Sequence, residues 1–519
     1  MYTRDSRPDS IVVLDFGGQY CHLIARRVRE MNVYSEIMPC DASPEEILGL
    51  DEATEVRGII LSGSPWSVGR ENAPRLDERV LDLGLPVLGL CYGHQLIALM
   101  NGGDVRRGER REYGVTDVVI DRAEGVLRGL DKVERVWMSH GDTVYAVPDE
   151  FKVMAHTNIS PVAAYRHRNR PIYGLQWHPE VVHTTNGTAM LRNFIFDICD
   201  CSPNWAPKDT IKNAIREIEK VVGDSKAIIA LSGGVDSSVA AAITAKALGG
   251  KLIAVHVDHG FMRMNESEGV ERTFKNLGID LVVIQAQKRF IELLRGVVDP
   301  EEKRRIIGEE FIRVFEDEAK KAGADYLIQG TIYPDRIESG FRRHSDKIKT
   351  HHNVGGLPIK IEFKSILEPL RDLYKDEVRA LGQQLGLPDS MVFRQPFPGP
   401  GLAVRIVGEV TEDKLSILRK TDAIVCEEVE ASGLSKEVWM YFAVLTDTKS
   451  TGVKGDERAY GWTVAIRIID SRDAMTASFR KVSWDLLERL STRITNEVPA
   501  VTRVVYDVTH KPPSTIEWE

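Results

Sequence analysis

Short apolar runs rich in β-formers alternate with amphipathic helical stretches, twice over, and this alternation restricts the folds open to the chain more than any other feature. In the first two hundred residues SIVVLDF (10–16) precedes HLIARRVREM, LPVLGL (85–90) precedes HQLIALMNGG, and PIYGLQWH (171–178) precedes TAMLRNFIFDI. A second series begins near residue 206 with KAIIALSGG, KLIAVHVDHG, ESEGVERTFKNLG, LVVIQA and DYLIQGT. Strands that feed helices in this way build mainly parallel sheets with both faces covered. CSPNWAPKDT (201–210), with two prolines and no periodicity, reads as a linker. RQPFPGPGLAVR (394–405) breaks regular structure again, and beyond it a long helical pattern is followed by the β-like runs WTVAIRIID and RVVYDV. The expected fold is therefore α/β, with two doubly wound, mainly parallel sheet domains over 9–201 and 202–394 and a small α+β domain over 395–519.

Length agrees, since 519 residues suit about three domains. A formal net charge of −9 gives no general attraction to nucleic acid or to acidic membranes. No run approaches eighteen apolar residues, and MYTRDSRPDS has no apolar leader, so the chain is expected to be cytoplasmic with neither membrane nor nucleic-acid partners. Six cysteines, at 21, 40, 91, 199, 201 and 426, are too sparse and irregular for a disulfide framework and suit a reducing compartment.

PVLGLCYGHQLIALM (86–100) places Cys91 between a strand and a helix in the frame G-x-C-x-G. Small residues there permit a sharp turn that presents a nucleophile, and the helix N-terminus favours thiolate. In YGLQWHPE (173–180), His178 and Glu180 are two residues apart, on one side of an extended chain. A carboxylate so placed could orient an imidazole that serves Cys91 as base. Acyl transfer also needs oxyanion donors, for which the main-chain N–H groups of Ser64, in SGSPWS, and Tyr92 are candidates. Each piece has a plainer reading alone: a buried structural cysteine, a surface His–Glu pair, a turn. Together they favour a triad.

LSGGVDSS (231–238) joins an apolar run to an alanine-rich helical pattern. Strand, tight turn and helix point backbone N–H groups at an anion, although short glycine-rich turns are also common without one. The loop lacks the lysine with which a Walker A loop reaches the β- and γ-phosphates.

GLCYGHQ, QWHPE, LSGSP and SHGD together resemble the class I glutamine amidotransferases. The resemblance implies hydrolysis of glutamine to glutamate and ammonia through a γ-glutamyl thioester, with Cys91 as nucleophile, His178 as base, Glu180 as orienter, and Gln95 and Asp142 as glutamine contacts. Members of that family often have glycine where Ser64 stands. SGGVDSS resembles the pyrophosphate loop of the N-type ATP pyrophosphatases, where attack at the α-phosphorus expels the β- and γ-phosphates as one unit. That implies ATP contacts from Ser232, Gly233, Gly234, Val235, Asp236, Ser237 and Ser238, with Asp236 near Mg²⁺.

DPEEKRRIIGEEFIRVF, YPDRIESG, KTHHNVGGLP, EPLRDLYKDEVRALGQQLGLP, PFPGPGLAVRI and KPPSTIEWE extend the likeness to the GMP synthetases over almost the whole chain. This implies adenylation of xanthosine 5′-phosphate (XMP) at its C2 oxygen, amination to GMP, and homodimerisation through the last domain. By the same resemblance Arg304, Lys511, Ile516 and Glu517 contact XMP; His351 and His352, with no third ligand at zinc spacing, read with Lys349 as charge or hydrogen-bond donors near the nucleotide. His259 and Lys454 depart from the asparagine and glutamine frequent at those places. Another glutamine-dependent PP-loop ligase with a different acceptor, or a non-catalytic sensor of glutamine or nucleotide, remains open at this point.

Overall fold

A computed structural model describes residues 7–50, 54–340, 363–471 and 476–519. Lys349, His351 and His352 lie outside the described residues. Two compact units emerge. One runs up to Asp209 and takes in 337–340, and the other holds Thr210–Arg336 and everything described from residue 363.

The first unit is built on a nine-stranded sheet. Its strands are β1 (Asp9–Asp15), β2 (Tyr34–Pro39), β3 (Glu55–Leu61), β4 (Val87–Leu90), β5 (Asp104–Ile120), β6 (Val133–Ala146), β7 (Phe151–His156), β8 (Ala164–His167) and β9 (Ile172–Leu175). They lie in the order β2-β1-β3-β4-β9-β8-β7-β5-β6, parallel from β2 to β9 and antiparallel from there on. The inner parallel strands β1 and β4 are apolar without alternation, and Ile11–Leu14, Ile59–Leu61 and Val87–Leu88 are fully buried, as covered faces require. Leu14 pairs with Leu61, Leu61 with Gly89, and Leu90 with Leu175, so these strands stop along one edge. The loops that leave this edge carry Cys91, Ser64 and His178, which is where open parallel sheets place their sites.

In the second unit β10 (Ala227–Ala230), β11 (Leu252–Asp258), β12 (Leu281–Gln285), β13 (Tyr326–Ile328) and β14 (Ser365–Leu367) form an all-parallel sheet in the order β12-β11-β10-β13-β14. The chain winds outward from β10 in one direction, then returns to begin again at β13. The glycine-rich loop therefore leaves β10 at the switch point, where a crevice opens. A further sheet joins β15 (Met440–Lys454) and β16 (Glu457–Ser471) as a long hairpin, with β17 (Ala477–Phe479) antiparallel and β18 (Val501–Tyr506) parallel to β16. WTVAIRIID is thus the middle of its sheet. One hydrophobic cluster runs through both sheets of this unit, from Ile228 and Val255 through Phe261 and Leu402 to Val464 and Leu490.

The stretch read as a linker is regular at its end, because Pro207 opens the helix Pro207–Val222. Proline suits the first turn, where its missing N–H costs no bond. Ahead of it, Ser202 N–H donates to Asp9 at 2.7 Å and the Arg29 guanidinium lies 5.2 Å from the Trp205 ring centre. Among the described residues no helix is long and apolar enough to cross a membrane.

Candidate active site

Cys91 caps the helix Tyr92–Met100 in a left-handed conformation, φ +52°. A non-glycine residue held there is strained, and the neighbouring glycines show what holds it. A Cβ on Gly89 would stand 2.6 Å from the Gly93 carbonyl, and one on Gly93 would stand 2.6 Å from the Leu61 main-chain oxygen. Strand and helix thus pack backbone to backbone, and the turn between them has no room to relax. The thiol lies 3.5 Å from the Ser139 carbonyl, and Cys91 N–H donates to Leu175 at 2.8 Å.

His178 and Glu180 meet as expected, but not for the reason the sequence suggests. β9 ends at Leu175, and residues 176–180 form a turn rather than an extended strand. The turn is fixed by Thr184 Oγ1 donating to the His178 carbonyl at 2.6 Å and by His178 N–H donating to Trp137 at 3.1 Å. Within it His178 Nδ1 lies 2.6 Å from Glu180 Oε1, both side chains buried. A point 3.7 Å from Cys91 Cβ lies 3.0 Å from His178 Cε1, so thiol and ring line one cleft over Gly63. Burial pulls the imidazolium down, but Glu180 and Cys91 push harder in the other direction and leave His178 well above its ordinary value. A protonated imidazole beside the thiol is the species this favours.

Tyr92 is the first residue of its helix, so its main-chain N–H has no intrahelical acceptor. Ser64 follows Gly63 in the loop after β3, which places both oxyanion candidates beside Cys91 in the fold. Gln95 and Asp142 are brought together. The Gln95 amide donates to the Asp142 carbonyl at 2.8 Å and to Gln176 Oε1 at 3.2 Å. The Asp142 carboxylate takes the Ser67 hydroxyl at 2.6 Å and Val68 N–H at 3.0 Å, bracing the loop that carries Ser64. MSHGD is strand here, within β6.

A pair not singled out in the sequence stands behind these groups. His140 Nε2 lies 3.0 Å from Glu112 Oε2, and His140 Nδ1 lies 2.8 Å from the same Asp142 carbonyl. Glu112 also accepts from Ser160 at 2.7 Å and from Thr157 at 2.9 Å. Burial raises the Glu112 carboxyl, but the hydrogen bonds from His140, Ser160 and Thr157 outweigh it and hold it below its ordinary value. A carboxylate so depressed stabilises the fold above the unfolded value, and the benefit is lost as pH falls through the folded one. Glu112→Gln is therefore expected to lower stability by about 1–3 kcal/mol at neutral pH. The deficit should shrink below about pH 4.3 as the wild-type carboxylate takes up its proton. Thermal unfolding across pH checks this, and a deficit independent of pH would refute it.

At the second loop, Gly233 takes φ +74° and Gly234 caps the helix Val235–Leu248, leaving first-turn N–H groups directed outward. Ser232 Oγ lies 3.2 Å from Ser237 Oγ and accepts from Gly234 N–H at 3.3 Å. The Ser237 and Ser238 hydroxyls both donate back to the Gly234 carbonyl, at 3.2 and 2.8 Å, and Ser238 is the buried one of the two. His256 Nδ1 holds the Leu231 carbonyl at 2.7 Å, fixing the chain just before the loop. Gly330 lets the next loop lie close, since a Cβ there would stand 2.9 Å from Ser237 N.

The missing cation arrives from elsewhere. Lys375, first residue of the helix Lys375–Gln384, pairs through Nζ with Asp236 Oδ2, and Arg394 Nη1 is 2.9 Å from where a Gly233 Cβ would stand. Asp236 Oδ1 is buried without a hydrogen-bond partner. Mg²⁺ is held by one or two carboxylates together with substrate phosphates, and an orphaned carboxylate oxygen beside a phosphate cradle fits that demand.

Arg304, on the helix Pro300–Ala322, donates through Nη2 to the Glu519 carbonyl at 2.5 Å, which brings it to the terminal segment. The Glu517 carboxylate takes a two-pronged bond from the buried Arg405 at 2.9 Å on each oxygen. Ile516 offers its carbonyl to Arg467 at 2.9 Å, and Lys511 exchanges main-chain bonds with Ala477. Burial lowers the Lys303 ammonium, Glu519 partly offsetting it. His259 is buried, and burial lowers its imidazolium to about 4. Lys454 caps carbonyls of Thr495 and Pro499 at 2.8 and 3.0 Å.

Comparison with known proteins gives these sites a family. Residues 12–198 match the class I glutamine amidotransferase family, 207–388 the PP-loop domain and 427–518 the GMP synthase C-terminal domain. The glutamine-hydrolyzing GMP synthase of Symbiobacterium thermophilum is 54% identical over 98% of this chain and 99% of its own. Those of Caldicellulosiruptor saccharolyticus and Caldanaerobacter subterraneus are each 52% identical, again over 98% of this chain and 99% of theirs. Agreement at more than half of all positions, over nearly the full length of both partners, makes this chain a member of the glutamine-hydrolysing GMP synthase family.

Proposed function

We propose that two reaction centres in this chain make GMP from XMP, ATP and glutamine. In the first, Cys91 thiolate attacks the glutamine carboxamide. The Ser64 and Tyr92 N–H groups receive the oxyanion, and protonated His178 gives its proton to the departing ammonia. Water, deprotonated by the same ring, then cleaves the thioester to glutamate. Glu180 keeps the ring oriented throughout and offsets its positive charge.

In the second centre the C2 oxygen of XMP attacks the α-phosphorus of ATP. N–H groups from Ser232 to Val235 and the Ser237 and Ser238 hydroxyls grip the leaving pyrophosphate, while Lys375 and Arg394 supply the positive charge the loop itself lacks. Asp236 would hold Mg²⁺ through its free oxygen. That ion would neutralise charge on the departing phosphates. Ammonia then displaces AMP from C2. Arg304, Lys511, Ile516 and Glu517 contact XMP in this reading. Residues 9–201, 202–394 and 395–519 serve as amidotransferase, ATP pyrophosphatase and a third domain that completes the nucleotide site and pairs two copies of the chain.

The observation that carries the reading is the strained Cys91 elbow facing a buried His178–Glu180 pair, in one chain with a phosphate loop whose cation comes from outside it. XMP labelled with ¹⁸O at C2 tests it. During glutamine-driven turnover the label should appear in AMP, and label found instead in pyrophosphate, in inorganic phosphate or in water would defeat the adenylation step. Light scattering tests the dimer.

A further inference from the structure

Arg467 lies in the middle of β16, flanked by Val464, Ala465, Ile466, Ile468 and Ile469, all buried, and is itself fully buried. A charge in such a strand costs several kcal/mol of desolvation and does nothing for the sheet that an apolar side chain would not do better. Its partners show what it does. Nε donates to the Ile516 carbonyl at 2.9 Å. Nη1 donates to Asp507 Oδ2 at 2.5 Å and to the Thr509 carbonyl at 3.1 Å. Nη2 donates to Ser514 Oγ at 3.1 Å and to the Thr515 carbonyl at 2.9 Å. A guanidinium has five N–H groups, and one segment beyond β18 takes all of them.

That segment has almost no regular structure to satisfy its backbone; beyond Tyr506 the Asp507 N–H bond to the Ile466 carbonyl ends the β16–β18 ladder, and a bridge between Ala477 and Lys511 follows. Three of its carbonyls are satisfied by this single side chain, which therefore sets the path of the chain. The same Asp507 carboxylate accepts Trp518 Nε1–H at 2.9 Å and Thr509 N–H at 2.9 Å, closing the segment on itself. Arg405 then fixes Glu517, and Lys303 with Arg304 fixes Glu519.

We propose that Arg467 is a positioning residue for the nucleotide, acting as the template on which residues 507–516 fold so that Lys511, Ile516 and Glu517 stand where XMP is bound. The role rests on the reading that these three residues contact XMP. The geometry of five donors matters here, not the charge alone. Lysine presents three donors from one point and cannot reproduce the fork, so Arg467→Lys does not rescue the function.

The test uses the full-length enzyme and two readouts. Hydrogen exchange, followed by mass spectrometry on peptides covering 507–519, reports docking of the segment, and XMP saturation in the ammonium-driven reaction reports binding. In Arg467→Lys the amides of 509–517 are expected to exchange faster. If the segment is docked about a tenth of the time, the KM for XMP rises about tenfold while kcat stays within about twofold. Asp507→Asn breaks the ion pair from outside the sheet core and should move both readouts in the same direction by less, which keeps the test decisive if Arg467→Lys misfolds. Unchanged exchange in both variants overturns the docking role, whatever KM does. Faster exchange with KM unmoved overturns instead the assignment of the terminal residues to XMP, and with it the role of Arg467 in binding.

Discussion

Cys91→Ala is expected to lower glutamine-driven GMP formation by about 10⁴-fold or more, while GMP formation from ammonium stays within about twofold of wild type. The first half follows from chemistry, because no other group at the elbow can form the thioester. The second follows from position. Cys91 sits on the edge of the first unit's sheet, and its thiol meets the Ser139 carbonyl at 3.5 Å and the His178 ring, both in that same unit. Alanine keeps a Cβ and bears the same left-handed strain at φ +52°, so the turn between β4 and its helix is unchanged. Glutamate release and GMP formation, followed in one reaction with either nitrogen source, separate the two halves. Loss of the ammonium reaction in a variant of wild-type thermal stability would mean that Cys91 serves both centres, and the two-centre account would fail.

What the sequence reveals and what it hides divide along chain separation. Cys91, its flanking glycines and the SGGVDSS loop are local: residue type and spacing within a dozen positions dictate strand, turn and helix, and these elements are found where expected. His178 and Glu180 are also close in sequence, but extended spacing is the wrong ground for pairing them. A turn tied down by Thr184 brings them together. The antiparallel half of the first sheet is not legible in the sequence either, since GERREYGVTDVVI is too polar on one face to read as part of a covered parallel sheet. Glu112 and His140 face each other only through the β5–β6 register, which no local pattern encodes. Arg405 and Arg467 did leave a trace. Each is a lone arginine inside an apolar run, GLAVRI and AIRII, where a charge must have a partner or be excluded from the core. The partners are Glu517 for Arg405 and, for Arg467, Asp507 together with Ser514, Thr515 and Ile516, about forty to a hundred residues later, and only the fold supplies them.

Lys375→Met should slow XMP-dependent pyrophosphate release by about 10²–10³-fold, the usual cost of removing one charge-stabilising donor from a transition state. Nothing local marks this lysine, which opens a helix 139 residues after the loop it serves. In the free protein its ammonium pairs with Asp236, a neighbour of the N–H groups that would hold the departing phosphates. Negative charge grows on the pyrophosphate as its bond to the α-phosphorus breaks, and Lys375 is a cation within reach of the first turn. Methionine keeps the length and packing of the stem and removes only the charge. Lys375→Arg, which keeps it, is expected to recover part of the rate but not all, since a planar fork cannot take the place of a compact ammonium. The defect should fall on kcat at saturating ATP, with glutamate release in the first unit responding only through coupling between the centres. The ammonium-driven reaction removes that complication, because it needs no glutamine. A kcat within twofold of wild type in that reaction would show that the loop operates without Lys375, leaving Arg394 beside Gly233 as the cation to test.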